Sequence, residues 1–207
     1  MVYRTLLSLL AIPILAVGVP GSGATAPATD HPAFTAAGEL KLPERYREWV
    51  YLTSGLDMSY APQPEPGGIT HSRFDNVFVN PSSYQSFLTT GTWPHGTTLV
   101  LEVRGAEPGV SINRRGQTQS AVVMALEVHV KDEAGKWGFF EFGDNTVAPR
   151  LPETADCYSC HQQHGAVDTT FVQFYPTLLG LAKAKNTLSA EYLKDQAATA
   201  PHAGSAP

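Results

Sequence analysis

The chain has 207 residues, a formal net charge of -5 and a sequence pI near 5.8, a balance that argues against a nucleic-acid partner. Hydrophobic residues at 43% and charged residues at 16% describe a globular chain rather than a disordered one. The one adjacent arginine pair, Arg114-Arg115, sits between Asn113 and Gly116 and reads as a solvated turn rather than a phosphate site.

Residues 1–24 read as a secretory signal: Arg4 gives the positive start, Thr5 to Val19 an apolar stretch too short to span a bilayer, and cleavage is expected after Ala24. The mature protein is therefore expected in a bacterial periplasm or outside the cell. Residues 25–40, rich in Ala, Pro and Thr, read as a flexible leader, and residues 41–185 as the folded domain. Pro43 is expected to open a short helix to about Leu52, ended by Gly55. Ala61 to Gly68 is a Pro/Gly loop and Phe74 to Val79 a strand. Asn80 and Pro81 open a helix that Gly91 closes. Trp93 to Gly96 is a turn. In the strand Thr97 to Arg104, Leu99, Leu101 and Val103 face one way and Thr98, Val100 and Glu102 the other. Gly105 to Gln117 reads as a loop or loose hairpin. Ala121–Val130 and Trp137–Phe142 form two strands joined by a turn at Asp132–Gly135. Pro176 to Lys185 is helical, and residues 186–207 hold a weak helix near Ser189–Gln196 and a disordered tail. Closely spaced strands with few helices predict an α+β, mainly β single domain: an antiparallel sheet with peripheral helices.

The chemistry concentrates near the C-terminus, in Cys157-Tyr158-Ser159-Cys160-His161. Cys-x-x-Cys-His attaches haem c: two thiols add to the two vinyl groups on one porphyrin edge, and the following histidine reaches the iron. A disulfide gives no reason for His161, a thioredoxin-like pair wants a βαβ setting, and zinc needs a second ligand pair. His164 reads as a polar residue near the haem edge, with a competing ligand as the alternative. The motif comes late and no methionine follows it; beyond the initiator, only Met58 and Met124 exist, and Met124 reads as core. The sixth iron position is therefore expected to be open.

Several stretches in order resemble the cytochrome P460 family, which includes the cytochromes c′-β. They are Phe78-Val79-Asn80-Pro81 with Tyr84, Thr92-Trp93-Pro94-His95-Gly96-Thr97, Leu126 to Lys131, Gly138 to Phe142, the Cys157–His161 block, and Gly165 to Pro176. The resemblance implies an antiparallel β fold, a homodimer, one covalent haem c ligated by His161, and an open distal side. Family members of the P460 type oxidise hydroxylamine with a lysine cross-linked to the haem; cytochromes c′-β lack the link and bind NO or CO. In the cross-linked members that lysine lies on the strand after the Trp-Pro-x-Gly-Thr turn, and Thr98 to Arg104 contains none. Lys131, the nearest substitute, ends a strand and is expected to face water.

Three functions follow from this reading. The first is small-ligand binding (NO or CO) at an open iron, the second oxidation of hydroxylamine or a related nitrogen compound. The third is electron transfer to a redox partner protein, with Met58, Met124 or His129 as sixth ligand. Glu127 and His129 share one strand face and are the candidate distal residues, as base and proton donor. Phe74, Phe78, Leu99, Leu101, Phe140 and Phe142 are candidates for an apolar cap.

Overall fold

The computed structural model describes residues 30–60 and 72–199; the signal segment, the Ala61–Gly68 loop and the extreme C-terminal tail lie outside them. Five antiparallel strands form the main sheet in sequence order: β2 (Val50–Leu56), β3 (Arg73–Val79), β4 (Thr98–Pro108), β5 (Gln117–Lys131) and β6 (Trp137–Glu141). A two-stranded sheet pairs β1 (Leu40–Lys41) with β7 (Val147–Ala148). Among the described residues four α-helices complete the fold: α1 (Pro81–Thr90), α2 (Asp156–His164), α3 (Pro176–Lys185) and α4 (Ala190–Thr199). The fold is thus α+β, mainly β, in a single domain.

Side chains alternate across a strand, so each face of the sheet builds its own core. On one face Val100, Leu126, Val128, Phe140 and Phe142 pack with Leu40, Tyr46 and Ala148. On the other, Val79, Leu99, Trp137 and Phe139 pack with Phe87 of α1, Ala166, Val167, Val172 and Leu178. The helices therefore cover the second face only.

Three expectations change. Pro43–Leu52 is not a helix: a single 3-10 turn at Tyr46–Glu48 leads straight into β2, because residues from Val50 onward pair with β3 (Tyr51 opposite Phe78). The leader is built into the fold from Asp30 onward. The Asp30 carboxylate accepts the Ser82 backbone N–H at 2.6 Å, Phe34 bridges to Leu40, and the Leu40 side chain is fully buried. Asp30, not Asn80, thus satisfies the exposed amide at the α1 N-terminus. Asn80 instead accepts the Thr98 N–H at 2.8 Å and donates to Gly96 O at 3.3 Å, tying α1 to β4. Strands β4 and β5 extend as a ribbon through Pro108 and Gln117, so of the loop or loose hairpin expected at Gly105–Gln117 the structure forms a hairpin, with residues 109–116 as its connection.

Candidate functional site

The motif lies on α2. Cys157, Cys160 and His161 stand at positions i, i+3 and i+4, so the helix lines them up along one face. Both thiols are free and partly exposed, and Cys157 with Tyr158 packs against the second core. Burial pushes the Cys157 thiol up from its usual range.

His161 points into a cavity of about 440 Å³ between the sheet and the segment after α2, within the ordinary range for cofactor pockets. The sheet supplies Asp75 and Val77 from β3, Leu99, Leu101 and Val103 from β4, and Ala125, Glu127 and His129 from β5. Met58 and Tyr60 enter from the segment after β2, and Phe171, Phe174 and Tyr175 from the segment before α3. The His161 ring packs on Phe171 at 4.1 Å between centroids and edge-on against His129 and Phe139 at 4.7 and 4.9 Å.

The loop after α2 fixes this ring. Nδ1 of His161 lies 2.8 Å from the carbonyl oxygen of Thr169, so Nδ1 carries the proton and Nε2 is left with its lone pair. Burial lowers the His161 pKa against the opposing effect of that bond, and burial followed by the His161 charge lowers His129 well below its usual range. Both imidazoles are neutral at neutral pH, the form in which histidine ligates metals. Two thiols on one helix face, a neutral imidazole with a free nitrogen beside them and a largely apolar cavity fit a covalently attached haem.

The expected residues distribute as follows. Glu127 and His129 both line the cavity, as the alternation required. Burial, then the charges of Glu141 and Asp75, push the Glu127 carboxyl up. An iron held between two imidazoles, each nitrogen about 2 Å away, keeps the ring centroids roughly 6 Å apart. At 4.7 Å, His129 and His161 are neighbours rather than partners across a metal. Leu99 and Leu101 line the cavity, whereas Phe78, Phe140 and Phe142 belong to the opposite core. Phe74 shares their strand parity, alternating with the cavity residues Arg73 and Asp75. The aromatic wall comes instead from Tyr60, Phe171 and Phe174, which no strand pattern could have pointed to. Met124 is half-exposed at the cavity edge rather than buried in a core. His164 does not line the cavity; its Nδ1 lies 2.8 Å from Asp195, linking α2 to α4. Lys131 is not in water: its side chain is 13% exposed, ion-paired with Asp168 and donating to the Trp93 carbonyl at 2.9 Å. Among the described residues no lysine lines the cavity. No group of three or more His, Cys, Asp or Glu converges as a metal site among them either.

A sheet-backed cavity with a Cys-x-x-Cys-His helix at its wall defines the class of c-type haem cytochromes. The family model of cytochrome P460 matches residues 43–172, more than half the chain. The chain belongs to the cytochrome P460 family, whose members carry haem c. No curated protein matches the sequence.

Proposed function

We propose that the protein is exported by residues 1–24 and holds one haem c through Cys157 and Cys160, with His161 as its axial ligand. The opposite side of the iron takes a small uncharged ligand such as NO or CO. When bound, the haem supplies an iron with one replaceable coordination position. The protein's part is to fix His161 through Thr169 and to present a wall of alkyl groups. The observation that carries this reading is that wall: Leu99, Leu101 and Val103 occupy the strand where hydroxylamine-oxidising members place their cross-linking lysine. Lys131, the nearest substitute, is engaged with Asp168 and Trp93 instead. An apolar wall favours neutral diatomics over anions, which lose their hydration on entry.

The visible spectrum of the purified ferrous protein tests this. A high-spin band that shifts on adding NO is expected. A low-spin ferrous spectrum unmoved by NO and CO overturns the reading. It would then favour an electron carrier, with Met58 or Met124 at the cavity as sixth ligand.

Glu127 supports a second reading, an oxidoreductase for hydroxylamine-type compounds. A half-buried carboxyl with a raised pKa is suited to accept a substrate proton. On this reading Glu127 is the proton acceptor, and His129 acts beside His161. Steady-state turnover of hydroxylamine with an electron acceptor, abolished by Glu127→Gln, would establish it. The homodimer rests on the family resemblance, and sedimentation of the holoprotein tests it; a redox partner protein belongs to the electron-carrier reading.

A further inference from the structure

We infer that Lys131 is a positioning residue for His161, acting through Asp168 and the Thr169 carbonyl; this rests on His161 being the iron ligand. The turn Trp93–Thr97 clasps Lys131 by its backbone. The Lys131 N–H donates to Thr97 O, and the Lys131 carbonyl accepts from Gly96, both at 2.9 Å. Its ammonium, nearly buried, meets the Asp168 carboxylate and the Trp93 carbonyl.

Asp168 and Thr169 have φ of 51° and 60°, a left-handed backbone that non-glycine residues avoid and that persists only where the surroundings impose it. Here the surroundings are explicit. Lys131 holds Asp168, while Trp93 Nε1 donates to Thr170 Oγ1 at 2.8 Å and that hydroxyl donates to Val167 O at 2.7 Å. The carbonyl between those two anchors, Thr169, is the one that receives His161 Nδ1–H. A firmly placed acceptor gives the imidazole more anionic character, strengthens its donation to iron and favours the ferric state. Without the Lys131 charge, Asp168 loses its partner and the Thr169 carbonyl its fixed position.

The test uses the holoprotein carrying Lys131→Met, Asp168→Asn, both together, or Lys131→Arg. The readouts are covalent haem content, the ferrous iron–histidine stretching band in resonance Raman, and the midpoint potential. Both single variants are expected to lower the stretching frequency. Both should also shift the ferrous/ferric equilibrium toward ferrous by about tenfold, ~59 mV for one electron. The double variant is expected to go no further than either single one, and Lys131→Arg to restore most of the effect. Should Lys131→Met fail to accumulate as holoprotein, Asp168→Asn, which preserves side-chain volume, carries the same readouts. A merely structural ion pair would lower the melting temperature and leave band and potential at wild-type values, and that result overturns the inference. A wild-type ferrous protein that is high-spin and five-coordinate yet shows no iron–histidine band overturns the assignment of His161 itself and is distinguished by that.

Discussion

Replacing Gly165 with alanine sets two physical effects of opposite sign against each other. Gly165 follows α2 with φ of −65° and ψ of 124°, a conformation open to any residue. On backbone entropy alone, Gly→Ala at such a position stabilises by about 0.4–1 kcal/mol. Contacts oppose this. A Cβ on Gly165 would sit 2.5 Å from the Thr169 carbonyl carbon, 2.7 Å from Thr169 Cα and 2.7 Å from the His161 carbonyl oxygen. All three are backbone atoms and cannot rotate away.

Carbon atoms in contact sit about 3.5–4.0 Å apart, so Thr169 must retreat by about 1 Å. Along the Thr169 O to His161 Nδ1 bond, 2.8 Å long, that displacement takes the pair beyond hydrogen-bond reach. Forced overpacking costs about 1–3 kcal/mol and the lost hydrogen bond about 0.5–1.5. Net destabilisation of about 0.5–4 kcal/mol is expected once the entropy gain is deducted. Guanidinium unfolding followed by far-UV circular dichroism measures it. Gly180 supplies the control: it is exposed within α3, and a Cβ there meets nothing within 4 Å. Gly180→Ala is expected to gain about 0.5–1 kcal/mol. A Gly165→Ala protein as stable as wild type, with Gly180→Ala behaving as expected, would refute the claim that this close approach fixes the Thr169 loop.

Glu127→Gln is expected to raise stability at neutral pH. The half-buried carboxyl has a raised folded pKa, so its contribution is full in acid and lost as pH rises through that value, and the gain should vanish below the ordinary carboxylate range. Glu102 should behave in the opposite sense: burial pushes it up, but hydrogen bonds from Arg104, Tyr46 and Arg47 outweigh burial and leave it low. Glu102→Gln is therefore expected to cost about 2 kcal/mol at neutral pH, with the deficit shrinking as acid protonates the wild-type carboxylate; urea midpoints across pH check both carboxylates. Replacing Cys157 and Cys160 together with serine is expected to abolish haem staining on a denaturing gel, and retained stain would overturn their assignment as the attachment points.

Elements fixed by local signals were legible in the sequence, and elements fixed by pairing were not. Pro81 with Gly91 bounds α1, and Pro176 opens α3, as their positions predict. The same kind of signal misled at Pro43, because pairing of Tyr51 with Phe78 across 27 positions overrides it. Helix α2 carried no periodic apolar signal, since its functional face consists of Cys157, Cys160 and His161, whose complement is a cofactor rather than a core. On the sheet, alternation put Leu99 with Leu101 and Glu127 with His129 on common faces, and the structure turns both pairs to the cavity. Alternation could not choose between Phe139 and Phe140, because Trp137 to Phe142 is nearly continuous in apolar residues. That choice depends on the register that sets Phe139 opposite His129, a non-local fact. Tyr60, Phe171 and Phe174 come from irregular segments, where no period exists to read.

The fate of Lys131 shows how one strand separates two chemistries. Glu127, His129 and Lys131 share a face of β5 by the period of two, and a lysine on the cavity face could have met a bound haem. Yet each step of two residues also advances the chain by about 7 Å, and Lys131 is carried past the cavity to where the Trp93–Thr97 turn and Asp168 enclose it. The stretches that carried the family resemblance, Trp93 to Thr97, Leu126 to Lys131 and Gly165 to Thr170, therefore meet at one place, the support behind His161. Conversion to a cross-linked haem would thus require a new lysine on β4 and could leave Lys131 in place. Leu99→Lys or Leu101→Lys in the holoprotein is the direct trial, with intact mass and a red-shifted ferrous band as readouts. A cross-link formed instead by Lys131 in the wild-type protein would refute its assignment to the His161 support.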